Sequence, residues 1–80
     1  MPRLPRVSGS DVIRLLQSLG YEVVRQRGSH IRLMKVTPVG EHAITVPAHK
    51  VLAKGTLNDI LNRVSLWNNI TKESLLRKLK

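Results

Sequence analysis

Eighty residues, 41% of them hydrophobic, suffice for one packed core and leave no room for a second; the composition is not that of a disordered chain. Fourteen Lys and Arg against five Asp and Glu leave a formal charge of +9, which makes an anionic partner the leading expectation: nucleic acid, an acidic protein or an anionic surface. The lack of cysteine excludes disulfides, a thiol nucleophile and cysteine-ligated metals, and one Trp, one Tyr and no Phe argue against a surface that stacks several bases on aromatic rings.

In chain order, residues 1–7 read as an extended arm punctuated by Pro2 and Pro5. Ser8 is a good N-cap, and Asp11 three residues on completes a capping-box pattern. Val12, Leu15, Leu16 and Leu19 follow at the spacing of one buried helical face, and Gly20 suits a left-handed cap, so a first helix is predicted over about 9–19. Tyr21 to Gln26 is rich in β-formers, and Arg27-Gly28 marks a tight turn with Gly28 as its structural residue. From Ser29 to Lys35 the pattern alternates, Ile31 and Leu33 on one face and His30, Arg32 and Met34 on the other. Val36 to Gly40 is a second turn, and His42 to Val46 a third strand with Ile44 and Val46 inward. A basic loop over 48–55 carries His49, Lys50 and Lys54. Thr56 is the expected cap of a second helix with Leu57, Ile60, Leu61 and Val64 inward. Ser65 to Ile70, with Trp67, is expected to be a connection, and Thr71 to cap a last helix over about 71–79.

The order is α-β-β-β-α plus a terminal helix. Two amphipathic helices need an apolar surface, which one face of a three-stranded antiparallel sheet supplies. The expected fold is thus α+β, a two-layer sandwich laid out like a double-stranded-RNA-binding domain. It forms a single domain over 1–80 with its core at about 8–66. No stretch approaches the roughly 20 apolar residues of a membrane span. The basic N-terminus leads into no apolar signal core, so the expected location is the cytoplasm.

Chemistry concentrates in Arg25-Gln26-Arg27-Gly28-Ser29-His30. An exposed histidine beside a glycine turn can exchange a proton near neutral pH. Arg25, Arg27 and Arg32 can hold a phosphate and stabilise a phosphorane, Arg32 sharing the His30 face by alternation. The plainer reading makes His30 an inert strand residue on a solvated cationic face. Lys54-Gly55-Thr56 opens the second helix, where free N–H groups and a lysine suit a phosphate; a plain capped helix is the alternative. His49 and Lys50 offer further phosphate contacts, and His49 a second proton-transfer group, with water as the fallback. The five acids are dispersed and His30, His42 and His49 lack ligand spacing, so neither a metal nor another cofactor is expected. Ser29 and His30, adjacent in a strand, point to opposite faces and form no nucleophile–base pair. Trp67 reads as a core or partner-interface aromatic.

The ordered set Val7-Ser8-Gly9, Leu19-Gly20-Tyr21-Glu22-Val23-Val24, Arg25 to His30, Val46-Pro47-Ala48-His49-Lys50 and Lys54-Gly55-Thr56-Leu57 resembles the HicA family of toxins over about residues 4–66. The resemblance implies an mRNA-cleaving endoribonuclease on a double-stranded-RNA-binding-like fold, with His30, in the position of the family's Gly-Ser-His histidine, catalytic. It also implies a HicB-type antitoxin that masks the site. The residues expected to bind RNA are Arg25, Arg27, Arg32, His49, Lys50 and Lys54. A non-catalytic RNA-binding module would use the same basic surface, and a protein-interaction domain meeting an acidic partner is the third reading.

Overall fold

A computed structural model describes residues 6–79. The expected arm over residues 1–5, and Lys80, lie outside them. The elements are α1 (Gly9–Ser18), β1 (Glu22–Arg27), β2 (His30–Thr37), β3 (Gly40–Pro47), α2 (Lys54–Asn68) and α3 (Lys72–Lys78), the predicted α+β order. The strands form one antiparallel meander, β1-β2-β3.

Local chemistry accounts for most boundaries. The Ser8 hydroxyl accepts from the Asp11 N–H at 3.0 Å and the Asp11 carboxylate accepts from the Ser8 N–H at 3.0 Å, closing the capping box. These bonds, with Arg14 nearby, hold the Asp11 carboxyl below its ordinary range. Gly20, at φ +103°, makes the left-handed step out of α1. Gly28, at φ +58°, opens the two-residue turn between β1 and β2.

Three boundaries differ from the sequence reading. The turn expected over Val36 to Gly40 narrows to Pro38 and Val39, because β2 runs to Thr37 and β3 starts at Gly40. Helix α2 starts at Lys54, not after a Thr56 cap: its N-cap is Ala53, which supplies no side-chain bond, and the Ala53 carbonyl accepts from the Leu57 N–H at 3.0 Å. The expected connection over 65–70 is mostly helix. The Asn68 amide donates back to the Val64 carbonyl at 2.9 Å, and Asn69 then takes φ +52° to end α2. Thr71 caps α3 as expected, accepting from the Ser74 N–H.

The core lies between the helices and the inner face of β2 and β3. Val12 and Leu16 of α1, Leu33 and Val46 of the sheet, Leu57, Leu61 and Val64 of α2 and Leu75 of α3 are all fully buried. Each such aliphatic side chain is worth about 1.5–3 kcal/mol relative to exposure. Strand β1 buries none of its side chains and is held by its ladder to β2.

The N-terminus of α1 is pressed onto the chain that leaves β3. A Cβ on Gly9 would collide with the Pro47 carbonyl oxygen, so glycine is required there for close approach. The Gly9 N–H donates to the His49 carbonyl at 2.9 Å, and the Leu52 N–H to the Val7 carbonyl at 2.8 Å. The loop ahead of α2 is therefore fixed from both sides.

Candidate nucleic-acid interface

Strand pairing sorts the outer sheet face into rows. Arg27 lies opposite His30, and His30 opposite Pro47; Arg25 lies opposite Arg32, and Arg32 opposite Thr45. Directly opposed residues share a face, so all three arginines stand on the face of His30. Strand alternation alone predicts this only for Arg32. The rest is done by a bulge: between Val23 and Arg25 the β1 register slips, and Val24 is the extra residue. Without the slip Val24 and Gln26, not Arg25 and Arg27, would face Arg32 and His30.

His30, Arg25, Arg27 and Arg32 are all exposed. A groove of about 610 Å³ opens beside them, between the outer edge of β3 and the first turns of α2. The sheet wall carries His30, Arg32 and Thr45; the helix wall carries Gly55, Thr56, Asp59 and Arg63. A Cβ on Gly55 would meet open space. Because Ala53 does not cap α2, the N–H groups of its first turn have no side-chain partner there, and they sit at the groove with the positive end of the helix dipole. The groove suits an anionic ligand: His30 and Arg32 stand on one wall, Arg63, paired with Asp59, on the other, and helix N–H donors at one end.

Of the expected contact residues, Lys54 is the first residue of α2, next to the Gly55–Thr56 wall. His49 and Lys50 are exposed on the preceding loop but do not line the groove. The sequence reading missed Arg63 and Asp59 as site residues. Arg63 Nε donates to Asp59 Oδ2 at 3.2 Å, and both lie one helical face round from the buried stripe. The available signal was their spacing from Thr56, which puts 56, 59 and 63 in one line along the helix. Among the described residues no three His, Cys, Asp or Glu side chains come together as metal ligands.

The other polar cluster is internal. His42 and Tyr21 are 6% and 2% exposed. Tyr21 Oη lies 2.6 Å from His42 Nδ1 and accepts from the Asn68 amide at 2.9 Å, while Lys35 Nζ donates to Asn68 Oδ1 at 2.6 Å. Both partners of the Tyr21 hydroxyl thus lie inside the fold. The His42 ring stacks on Trp67, centroids 4.8 Å apart, so Trp67 is a packing aromatic, and the cluster explains why α2 continues to Asn68. Burial and then the Arg63 charge push the His42 pKa down; burial pushes the Tyr21 hydroxyl up.

A family model described as "HicA toxin of bacterial toxin-antitoxin" matches residues 9–66. The chain belongs to the HicA toxin family. The match spans the capped helix, the meander and most of α2, and so takes in both walls of the groove; α3 and Trp67 lie beyond it. No curated protein and no solved structure matches the chain significantly. Membership makes this HicA chain the toxin of a toxin–antitoxin pair, and hence one with an antitoxin partner. Among the described residues no helix is long and apolar enough to cross a membrane.

Proposed function

We propose that this HicA toxin is an endoribonuclease that cleaves mRNA in the cytoplasm, with His30 as its catalytic residue and no metal ion. The observation that carries the reading is the placement of His30 on the wall of a cationic groove whose far end is an uncapped helix start. The RNA's own 2′-OH attacks the adjacent phosphorus, the P–O5′ bond breaks, and the products are a 2′,3′-cyclic phosphate and a 5′-OH. His30 moves a proton as general base or general acid, worth about 10²–10⁴-fold. With His49 off the groove lining, water serves the second proton transfer. Arg32, with Arg25 and Arg27 beside it, offsets the extra charge of the phosphorane. Lys54 and the N–H groups of Gly55 and Thr56 hold a neighbouring phosphate without reading bases, and His49 and Lys50 contact flanking backbone. A HicB-type antitoxin, acidic where it meets Arg25, Arg27 and Arg32, covers His30 and silences the toxin.

The test uses the purified chain and a short RNA. Cleavage is expected to persist in EDTA, to leave a cyclic phosphate, and to fail when the nucleotide 5′ of the scissile bond lacks its 2′-OH. Cleavage of that deoxy substrate, or a strict need for a divalent metal, overturns the mechanism. Tight, salt-dependent binding with no cleavage would leave a non-catalytic RNA-binding module instead.

A further inference from the structure

The outer sheet face has a second half. Beyond the His30 and Arg32 rows, Glu22 lies opposite Met34 and Met34 opposite Ala43, and Val36 lies opposite Glu41, with the bulged Val24 beside them. Val36 lies six residue steps along β2 from His30, a span of about 20 Å. This half holds a depression of about 450 Å³, lined by Glu22, Val24, Met34, Lys35, Val36 and Glu41 among others. Val36 is 78% exposed and Val24 50%. The apolar surface continues round the β1 edge to Val23, which is also exposed. Contiguous bare aliphatic side chains on so small a chain mark a surface made for a partner.

Charge distinguishes the partners. Asp11, Asp59 and Glu73 each pair with an arginine of their own helix. The remaining two acids, Glu22 and Glu41, have no ion-pair partner among the described residues, and both rim this depression. One half of the face thus carries three arginines; the other carries two carboxylates without an ion pair and, as its one cation, Lys35, whose ammonium is already held by Asn68 Oδ1. An RNA backbone is drawn to the first and repelled by the second. A protein segment with apolar side chains flanked by Lys or Arg fits the second.

We propose that this apolar, acid-rimmed half is the anchor by which the antitoxin holds the toxin. The assignment rests on the reading of the His30 half as the RNA site, because it makes the two halves one continuous partner surface. A stable interface takes about 800 Å² from each partner, more than the apolar half offers. An antitoxin seated there must extend along the strands over the arginines, so anchoring at Val36 masks His30 some 20 Å away. The partner presents aliphatic or aromatic side chains with a basic flank over Val24, Met34 and Val36, and acidic residues over Arg25, Arg27 and Arg32.

The experiment measures binding of the cognate HicB-type antitoxin to the full chain, with RNA cleavage assayed in parallel. Val36→Lys and Glu41→Lys are each expected to weaken antitoxin binding about tenfold or more, mainly through faster dissociation, and to leave free-toxin cleavage unchanged. Both sites are exposed, and circular dichroism checks that the variants fold. Leu66→Lys, at a position 80% exposed on α2, is expected to change neither property. Unchanged antitoxin binding by both Val36→Lys and Glu41→Lys overturns the proposal whatever the cleavage assay gives, as does a wild-type chain that does not bind the antitoxin. Loss of binding in Arg32→Ala alone would move the anchor to the cationic half. A free chain that sediments as a dimer and is dissociated by Val36→Lys would give the face to a second copy, which also overturns it. If wild-type toxin binds the antitoxin through this patch yet cleaves no RNA, the nuclease reading fails and the anchor stands.

Discussion

His30 and His42 lie on neighbouring strands of one sheet and face opposite ways. His42 has its Nδ1 bonded to Tyr21, its ring stacked on Trp67 and 6% of its surface exposed. His30 is exposed, and no side-chain hydrogen bond ties it to another described residue. A buried polar group must have its bonds met inside the fold, and once they are met it has no capacity left for a substrate. An exposed ring with free nitrogens costs the fold nothing and keeps both for chemistry. Residue type alone does not separate the two; strand parity and the partners across the layer do.

The sharpest way to break this contrast is to remove each ring in turn. His30→Ala is expected to lower single-turnover RNA cleavage about 10²–10⁴-fold while shifting stability by less than about 0.5 kcal/mol. His42→Ala is expected to do the reverse, costing about 2–4 kcal/mol in denaturant unfolding, because it strips the buried Tyr21 hydroxyl of one of its two partners and leaves a gap against Trp67. Equal stability losses in the two variants would erase the distinction.

Acid probes the same contrast more gently. The His42 pKa is depressed in the folded chain from its ordinary 6.5, by burial first and by Arg63 second. Below 6.5 the unfolded chain takes up a proton that the folded chain refuses, so stability is full above that value and falls as pH drops through it towards the depressed one. Thermal unfolding followed from neutral to mildly acidic pH is expected to show this loss in wild type and in His30→Ala, and to show it reduced in His42→Gln. A loss of the same size in His42→Gln would assign it to other groups.

The smallest expected effects lie at the start of α2. Ala53→Ser supplies the missing cap and is expected to stabilise the chain by about 0.5–2 kcal/mol, while weakening RNA binding by occupying an N–H meant for phosphate. Lys54→Ala is expected to weaken binding about equally across RNA sequences and to flatten the salt dependence by roughly one unit. A changed cleavage-site preference without lost affinity would contradict the phosphate-holding role.

Much of this was legible from residue order because the signals are local. The Ser8–Asp11 box, the aliphatic stripes of α1 and α2 and the alternation of β2 each act within a turn or a strand, and the helices and meander follow from them. What stayed hidden depends on contacts far along the chain. Thr56 has the chemistry of a cap, but Leu52, buried and bonded to Val7, sets the chain so that the helix opens at Lys54. Asn68 looks like a terminator until Tyr21 and Lys35 are seen to hold it inside a longer helix. The slip at Val24, which gathers the arginines around His30, is a property of pairing and leaves no mark in β1 alone. The groove needed its second wall, and Arg63 and Asp59 reveal their place only when α2 is laid beside β3.

The docking of Val7 and Gly9 against Leu52 and His49 also orders events in time. These contacts close a loop of 49 − 9 = 40 residues around the entire meander, and such a loop cannot close until both ends exist. During synthesis, at about 5–20 residues per second, α1 can coil early, yet its first turn finds its seat only after the sheet and the following loop have emerged. The helix that supplies the opposite wall of the groove comes later still. The groove is therefore assembled near the end of translation, and a growing chain lacks it until both of its walls have emerged.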